Sequence, residues 1–113
     1  MFLGRVVGSV WSTVKWPQAV GLKLLLVRPY CLADLAPGQG AEPTDDLVVC
    51  ADRLDAGPGD DVIVAFGNAA RLALSEGPGA GAAASAAADG ASAPIDAAVV
   101  AIVDRVELHR EPR

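Results

Sequence analysis

The side chains able to do chemistry are few in this 113-residue chain, and they are poorly grouped for it. The one histidine, His109, stands four residues from the end, where an imidazole is ordinarily a solvated tail group rather than a general base. Ser9, Ser12, Ser75, Ser85 and Ser92 all lack the G-x-S-x-G setting of an activated serine. Cys31 and Cys50, 19 positions apart with no histidine nearby, offer no zinc spacing. Two cysteines are too few for a disulfide scaffold, and free thiols of a cytosolic protein are the expected state. Asp45-Asp46 and Asp60-Asp61 would suit a hard cation, but adjacent acids before strands ordinarily sit in turns with solvated carboxylates. Gly77-Pro78-Gly79-Ala80-Gly81 is not followed by the Lys-Ser/Thr of a phosphate loop. No catalytic, cofactor-binding or metal-ligating set is therefore expected, and no cofactor. Trp11, Trp16 and Tyr30, near Lys15 and Arg28, could stack nucleotides; packing of Trp11 in the core or at an interface is the reading that the net charge favours.

The elements that would position these groups are mostly strands. Short apolar runs separated by turn residues predict strands over Phe2–Val14, Leu22–Tyr30, Leu47–Ala51, Val62–Phe66 and Ala97–Leu108. Gly4 and Gly8 inside the first run mark bends or close backbone approach. On the last strand Val100, Ile102, Val106 and Leu108 share one parity, which Asp104 interrupts. Gly57-Pro58-Gly59 is a tight turn, Asp34–Asp46 a polar loop, and Asn68–Leu74 one or two helical turns. Residues 77–93 are nearly pure Ala, Gly and Ser and read as a flexible loop, with 109–113 as a tail. The whole chain, 1–113, is one domain. Five glycine-kinked strands with a short helical insertion suggest an all-β fold, a small Greek-key barrel of the oligonucleotide/oligosaccharide-binding type. A β-sandwich is the alternative.

Composition narrows the function. The chain is 52% hydrophobic and 20% charged with a net charge of -5, which argues against a partner made of phosphates. The longest strongly apolar stretch, Leu24–Val27, is far too short to span a bilayer. Much of the apolar content is alanine, so the core is thin and association with further copies would add burial. Residues 1–30 carry Arg5, Lys15, Lys23 and Arg28 and no acid, whereas the middle carries eight acids and Arg53 alone as a base. Such a split suits head-to-tail assembly, or else the fold brings both sets onto one surface.

Three blocks then resemble one family. They are Gly4-Arg5-Val6-Val7-Gly8-Ser9-Val10-Trp11-Ser12-Thr13-Val14-Lys15 with Gly21–Val27; Ala51-Asp52, Ala56–Asp60, Val62–Val64 and Gly67-Asn68-Ala69-Ala70-Arg71; and Pro94–Asp104. Together they are similar to the EutN/CcmL family, the pentameric vertex proteins of bacterial microcompartment shells. The chain departs from the family pattern at Trp16, at Asp55-Ala56-Gly57 and at Asn68-Ala69. The resemblance implies a small barrel, five copies in a ring, and a structural rather than enzymatic role in a shell in the bacterial cytoplasm. It further implies hexameric shell proteins as partners, with neither nucleic acid nor membrane. It singles out Asp52, Gly57, Gly67, Arg71, Asp96 and Asp104 as turn or subunit-contact positions. Arg71 is the preferred interface charge. Two other readings compete: a barrel module binding nucleic acid or a small ligand, and a small enzyme using an Asp pair as acid and base.

Overall fold

The computed structural model describes residues 1–13, 22–35, 45–76 and 95–109. Their order is β1 (Phe2–Val10), β2 (Lys23–Pro29), α1 (Leu32–Leu35), β3 (Val48–Asp52), β4 (Asp61–Phe66), α2 (Gly67–Glu76) and β5 (Ala97–Val103). The five strands close into a barrel in the order β1-β2-β3-β5-β4. All neighbouring pairs are antiparallel except β3 with β5, a parallel pair joined at the single position Ala51↔Ala98. The predicted segments 77–93 and 110–113 lie outside the described residues, as do Lys15 and Trp16.

Alternation along the strands builds two apolar layers. Inward residues Val6, Leu25, Val27, Cys50, Val62, Val64, Ala97 and Val99 fill the barrel with Ala56, and Phe2, Val48 and Leu54 pack against them. The opposite parity turns Ala51 and Ala98 outward, where α2 covers them with Ala70 and Leu74, four positions apart on one helix face. Leu22, Leu24 and Ile95 complete this second layer. Two register shifts, between Val6 and Gly8 in β1 and between Ile63 and Val64 in β4, bend the strands around the barrel. Gly4 sits where β1 presses on β2: a Cβ there would lie 2.7 Å from the Arg28 carbonyl oxygen and 2.7 Å from a Val27 methyl.

Four expectations need correction. β5 stops at Val103 instead of Leu108, because its partner β4 begins at Asp61, directly opposite Val103; past that point there is no strand to pair with. β1 stops at Val10, opposite Leu24 near the start of β2. The loop expected from Asp34 begins instead as the helical turn α1, in which the Asp34 carboxylate accepts the Cys31 N–H at 2.8 Å. α2 also runs slightly longer than the predicted Asn68–Leu74.

Candidate functional site

Asp52 is the one charged side chain in the core of the described residues, 3% exposed at the end of β3. Its two oxygens accept the N–H groups of Leu54 at 2.9 Å and Ala56 at 2.8 Å. Lys23 approaches from β2: its Nζ lies 3.9 Å from Asp52 and 3.3 Å from Asp55, and donates to the Ala56 carbonyl at 2.6 Å. This clamp holds Asp55 at φ 63 and delivers the chain into the next turn. There the Asp60 N–H donates to the Gly57 carbonyl at 3.0 Å, and the Asp60 carboxylate accepts the Gly57 N–H at 2.9 Å. Pro58 and positive-φ Gly59 occupy the central positions, the type II pattern. The turn then docks on β1 by two backbone bonds with Val6, of 2.8 and 2.9 Å.

Gly67 and Asp96 meet in one hydrogen bond, the Gly67 N–H to the Asp96 carbonyl at 2.7 Å. Gly67 starts α2 at φ 60, a left-handed conformation that an L side chain resists. A Cβ at Gly57, by contrast, would meet nothing. Arg71 lies one turn into α2, half-buried, and forms no ion pair with a described residue. Asp104 is exposed at the rim of an open cleft of about 470 Å³ on the barrel wall. The six singled-out residues therefore divide into a turn set (Asp52, Gly57), a helix-entry pair (Gly67, Asp96) and two surface charges (Arg71, Asp104), and do not form one constellation.

The cleft holds a cluster that sequence reasoning missed. Arg5 and Arg28 sit directly opposite each other on β1 and β2, a like-charge pairing that needs counter-ions. Asp61 supplies one, 3.3 Å from Arg5 Nε, and Asp34 the other, 3.2 Å from Arg28 Nη1. Both guanidiniums lie over the Tyr30 ring, 5.7 and 5.3 Å from its centroid, and its hydroxyl donates to Asp61 at 2.5 Å. The hydrogen bond to Asp61 raises the Arg5 pKa, and burial, then the Asp61 carboxylate, raises that of Tyr30. The Cys31 N–H is the main cause that lowers Asp34. The signals were present separately, as Tyr30 beside Arg28 and as the acid pair Asp60-Asp61; register, invisible in sequence, decides which base the acids meet.

These pairs bear on the charge split: among the described residues, Arg5, Lys23 and Arg28 each find an acid of the middle segment within the same chain. One copy also leaves apolar surface open: Trp11 is 92% exposed, and Val7, Leu47, Val49, Phe66, Leu72, Val106 and Leu108 are exposed too. Trp11 is thus no core residue. The candidates for chemistry stay dispersed. His109 is exposed beside Glu107, and Cys31 and Cys50 are not joined in a disulfide. Burial, with the Asp96 charge second, pushes the Cys50 thiol up to about 12. No group of three His, Cys, Asp or Glu able to hold a metal occurs among the described residues, and no described helix is long and apolar enough to cross a membrane.

Comparison with known proteins gives a consistent result. The family model described as "Ethanolamine utilisation protein EutN/carboxysome" matches residues 1–104. The bacterial microcompartment shell vertex protein PduN of Salmonella typhimurium is 38% identical over 104 residues, covering 92% of this chain and 96% of PduN. The carboxysome shell vertex protein CcmL of Thermosynechococcus vestitus is 35% identical, covering 94% of this chain and 86% of CcmL. Among solved structures, the GrpN pentameric microcompartment shell protein from Rhodospirillum rubrum superposes with a TM-score of 0.68 at 34% identity, covering 97% of this chain and 100% of GrpN.

Proposed function

The chain belongs to the EutN/CcmL family, and from that membership we propose that it is a shell protein whose pentamers cap the five-fold vertices of a bacterial microcompartment in the cytoplasm. Its role is structural. A ring with five-fold symmetry set among six-fold tiles removes one tile's angle and forces curvature, so a flat sheet can close. The tiles that fit this geometry are hexameric shell proteins, the partners we propose. The observation that carries the reading is the end-to-end correspondence with a pentameric shell protein. It is supported by the exposed apolar side chains, far more than a charge-paired monomer surface needs, Trp11 above all. In this reading Asp52, Gly57, Gly67 and Asp96 set turns that shape the subunit, while Arg71 and Asp104 are available to charges on a neighbour.

A heterologous contact that repeats by one-fifth of a turn closes after five copies and leaves no free interface. The assembly should therefore stop at five chains of 11.5 kDa, or 57.5 kDa, with each contact burying at least ~1,000 Å². Native mass spectrometry, or light scattering after size exclusion, measures this directly. A monomer or dimer at tens of micromolar overturns the vertex reading, and a hexamer keeps a shell role but removes the vertex. Mixing the pentamer with hexameric shell proteins should turn open sheets or tubes into closed polyhedra. Against the competing nucleic-acid barrel, the described bases of the barrel wall, Arg5, Lys23 and Arg28, are each paired to an acid.

A further inference from the structure

Beyond Val103 the chain continues for six described residues that behave as a strand without a sheet. Asp104–His109 are all exposed, and no backbone hydrogen bond joins them to another described residue. Their side chains alternate: Val106 and Leu108, 41% and 46% exposed, share one parity, while Arg105, Glu107 and His109 share the other. Glu107 pairs with both Arg105 and His109, contacts between positions two apart that an extended chain places on one side. Apolar on one side, ion-paired on the other and with its backbone unmatched, this segment has the form of an edge strand awaiting a partner.

A matching edge exists on β1. There Gly8–Val10 pair with β2 on one side only. On the other side β4 leaves β1 at Arg5↔Asp61, the Gly57–Asp60 turn takes the backbone of Val6, and beyond it Val7–Val10 have no backbone partner among the described residues. The wall is open at this point: Ser9 stands opposite fully buried Leu25, and so shares the inward face, yet is exposed. Val7 and Trp11 flank the same edge, 47% and 92% exposed. Within one subunit Asp104–Val106 line the cleft with Arg5 and Arg28, while β4 and its leading turn stand between the end of β5 and this edge, two strand spacings or about 10 Å. A second copy has no such obstacle.

We propose that residues 104–109 of one copy lie as an added strand along the Val7–Val10 edge of β1 in the next copy, with Val106 and Leu108 covered on the face of Val7 and Glu107 on the face of Ser9. The occupant is a second copy of this chain, and the inference rests on the pentamer reading, whose interface it specifies. Backbone bonds supply the register and the two apolar side chains the fit. Because the contact joins two different surfaces, it repeats head to tail and is compatible with a ring.

The test uses the full-length protein in three forms. The parent is first weighed by native mass spectrometry. V106D/L108D places two carboxylates at positions exposed in the subunit, so circular dichroism should stay that of the parent. The concentration at which the ring dissociates should rise by at least about tenfold, the effect of roughly 1.4 kcal/mol per contact. S9C/E107C, oxidised and run without reductant, should give a ladder of linked subunits that neither single cysteine variant gives. A monomeric parent fails the pentamer reading itself. A pentameric parent whose V106D/L108D form dissociates at the parent's concentration, or whose S9C/E107C form gives no ladder beyond the single variants, overturns the strand addition alone.

Discussion

A carboxylate buried at the end of a strand is stable only if its oxygens are spoken for, and Asp52 meets that condition with two backbone N–H groups and Lys23. Truncation in Asp52→Ala strands both donors in a region with little water, so unfolding in urea should show a loss of about 2–4 kcal/mol, with Asp52→Asn intermediate. A change below about 0.5 kcal/mol, the size of an ordinary surface substitution, contradicts the clamp. Family likeness pointed to Asp52 and Gly67; in the structure the first accepts two backbone N–H groups and the second has a positive φ. Gly57, singled out on the same grounds, has room for a side chain in the single subunit. The Arg5–Tyr30–Arg28 stack was not legible, because pairing of β1 with β2 across 23 positions depends on a register that local pattern does not encode.

At the scale of elements, apolar runs and turn residues were enough to find every described strand, and Asn68–Leu74 reads as one or two helical turns. Their ends were not legible. Alternation continues through Leu108, so β5 reads as longer than it is; whether alternation becomes a strand depends on a neighbour, and β4 runs out at Asp61. The role of α2 was equally hidden, since it covers alanines contributed by β3 and β5 from opposite ends of the sequence. Leu74, 3% exposed, is the largest helix side chain in that layer. Leu74→Ala should lower stability by about 2–4 kcal/mol through lost burial and the cavity left behind. Thermal or urea unfolding measures it, and an effect below about 1 kcal/mol would show that α2 does not hold the barrel's outer face.

For the whole molecule, the separation of bases and acids along the chain is undone by folding: the three described bases of β1 and β2 are matched inside each subunit. Assembly then falls to apolar surface, and net charge governs what the assembly repels. Five subunits at -5 each give 5 × (-5) = -25 for the ring, a field that disfavours phosphate backbones at moderate salt. A single-stranded oligonucleotide should show no micromolar binding at physiological salt, in spite of a barrel type that elsewhere binds such ligands. Fluorescence anisotropy across a salt series checks this, and tight binding with a steep salt slope would reverse the conclusion.

The parallel join of β3 to β5 at Ala51↔Ala98 has a dynamic counterpart. Everywhere else the wall is stitched by at least four residue pairs, from the six of β1 with β2 down to the four of β1 with β4. Backbone amides open in cooperative groups whose free energies follow local hydrogen bonding and burial, so this seam is where the barrel breathes first. Deuterium should enter the facing amides of β3 and β5 before it enters the ladder of β1 with β2, and α2, lying across the seam, is the latch that sets how often it parts.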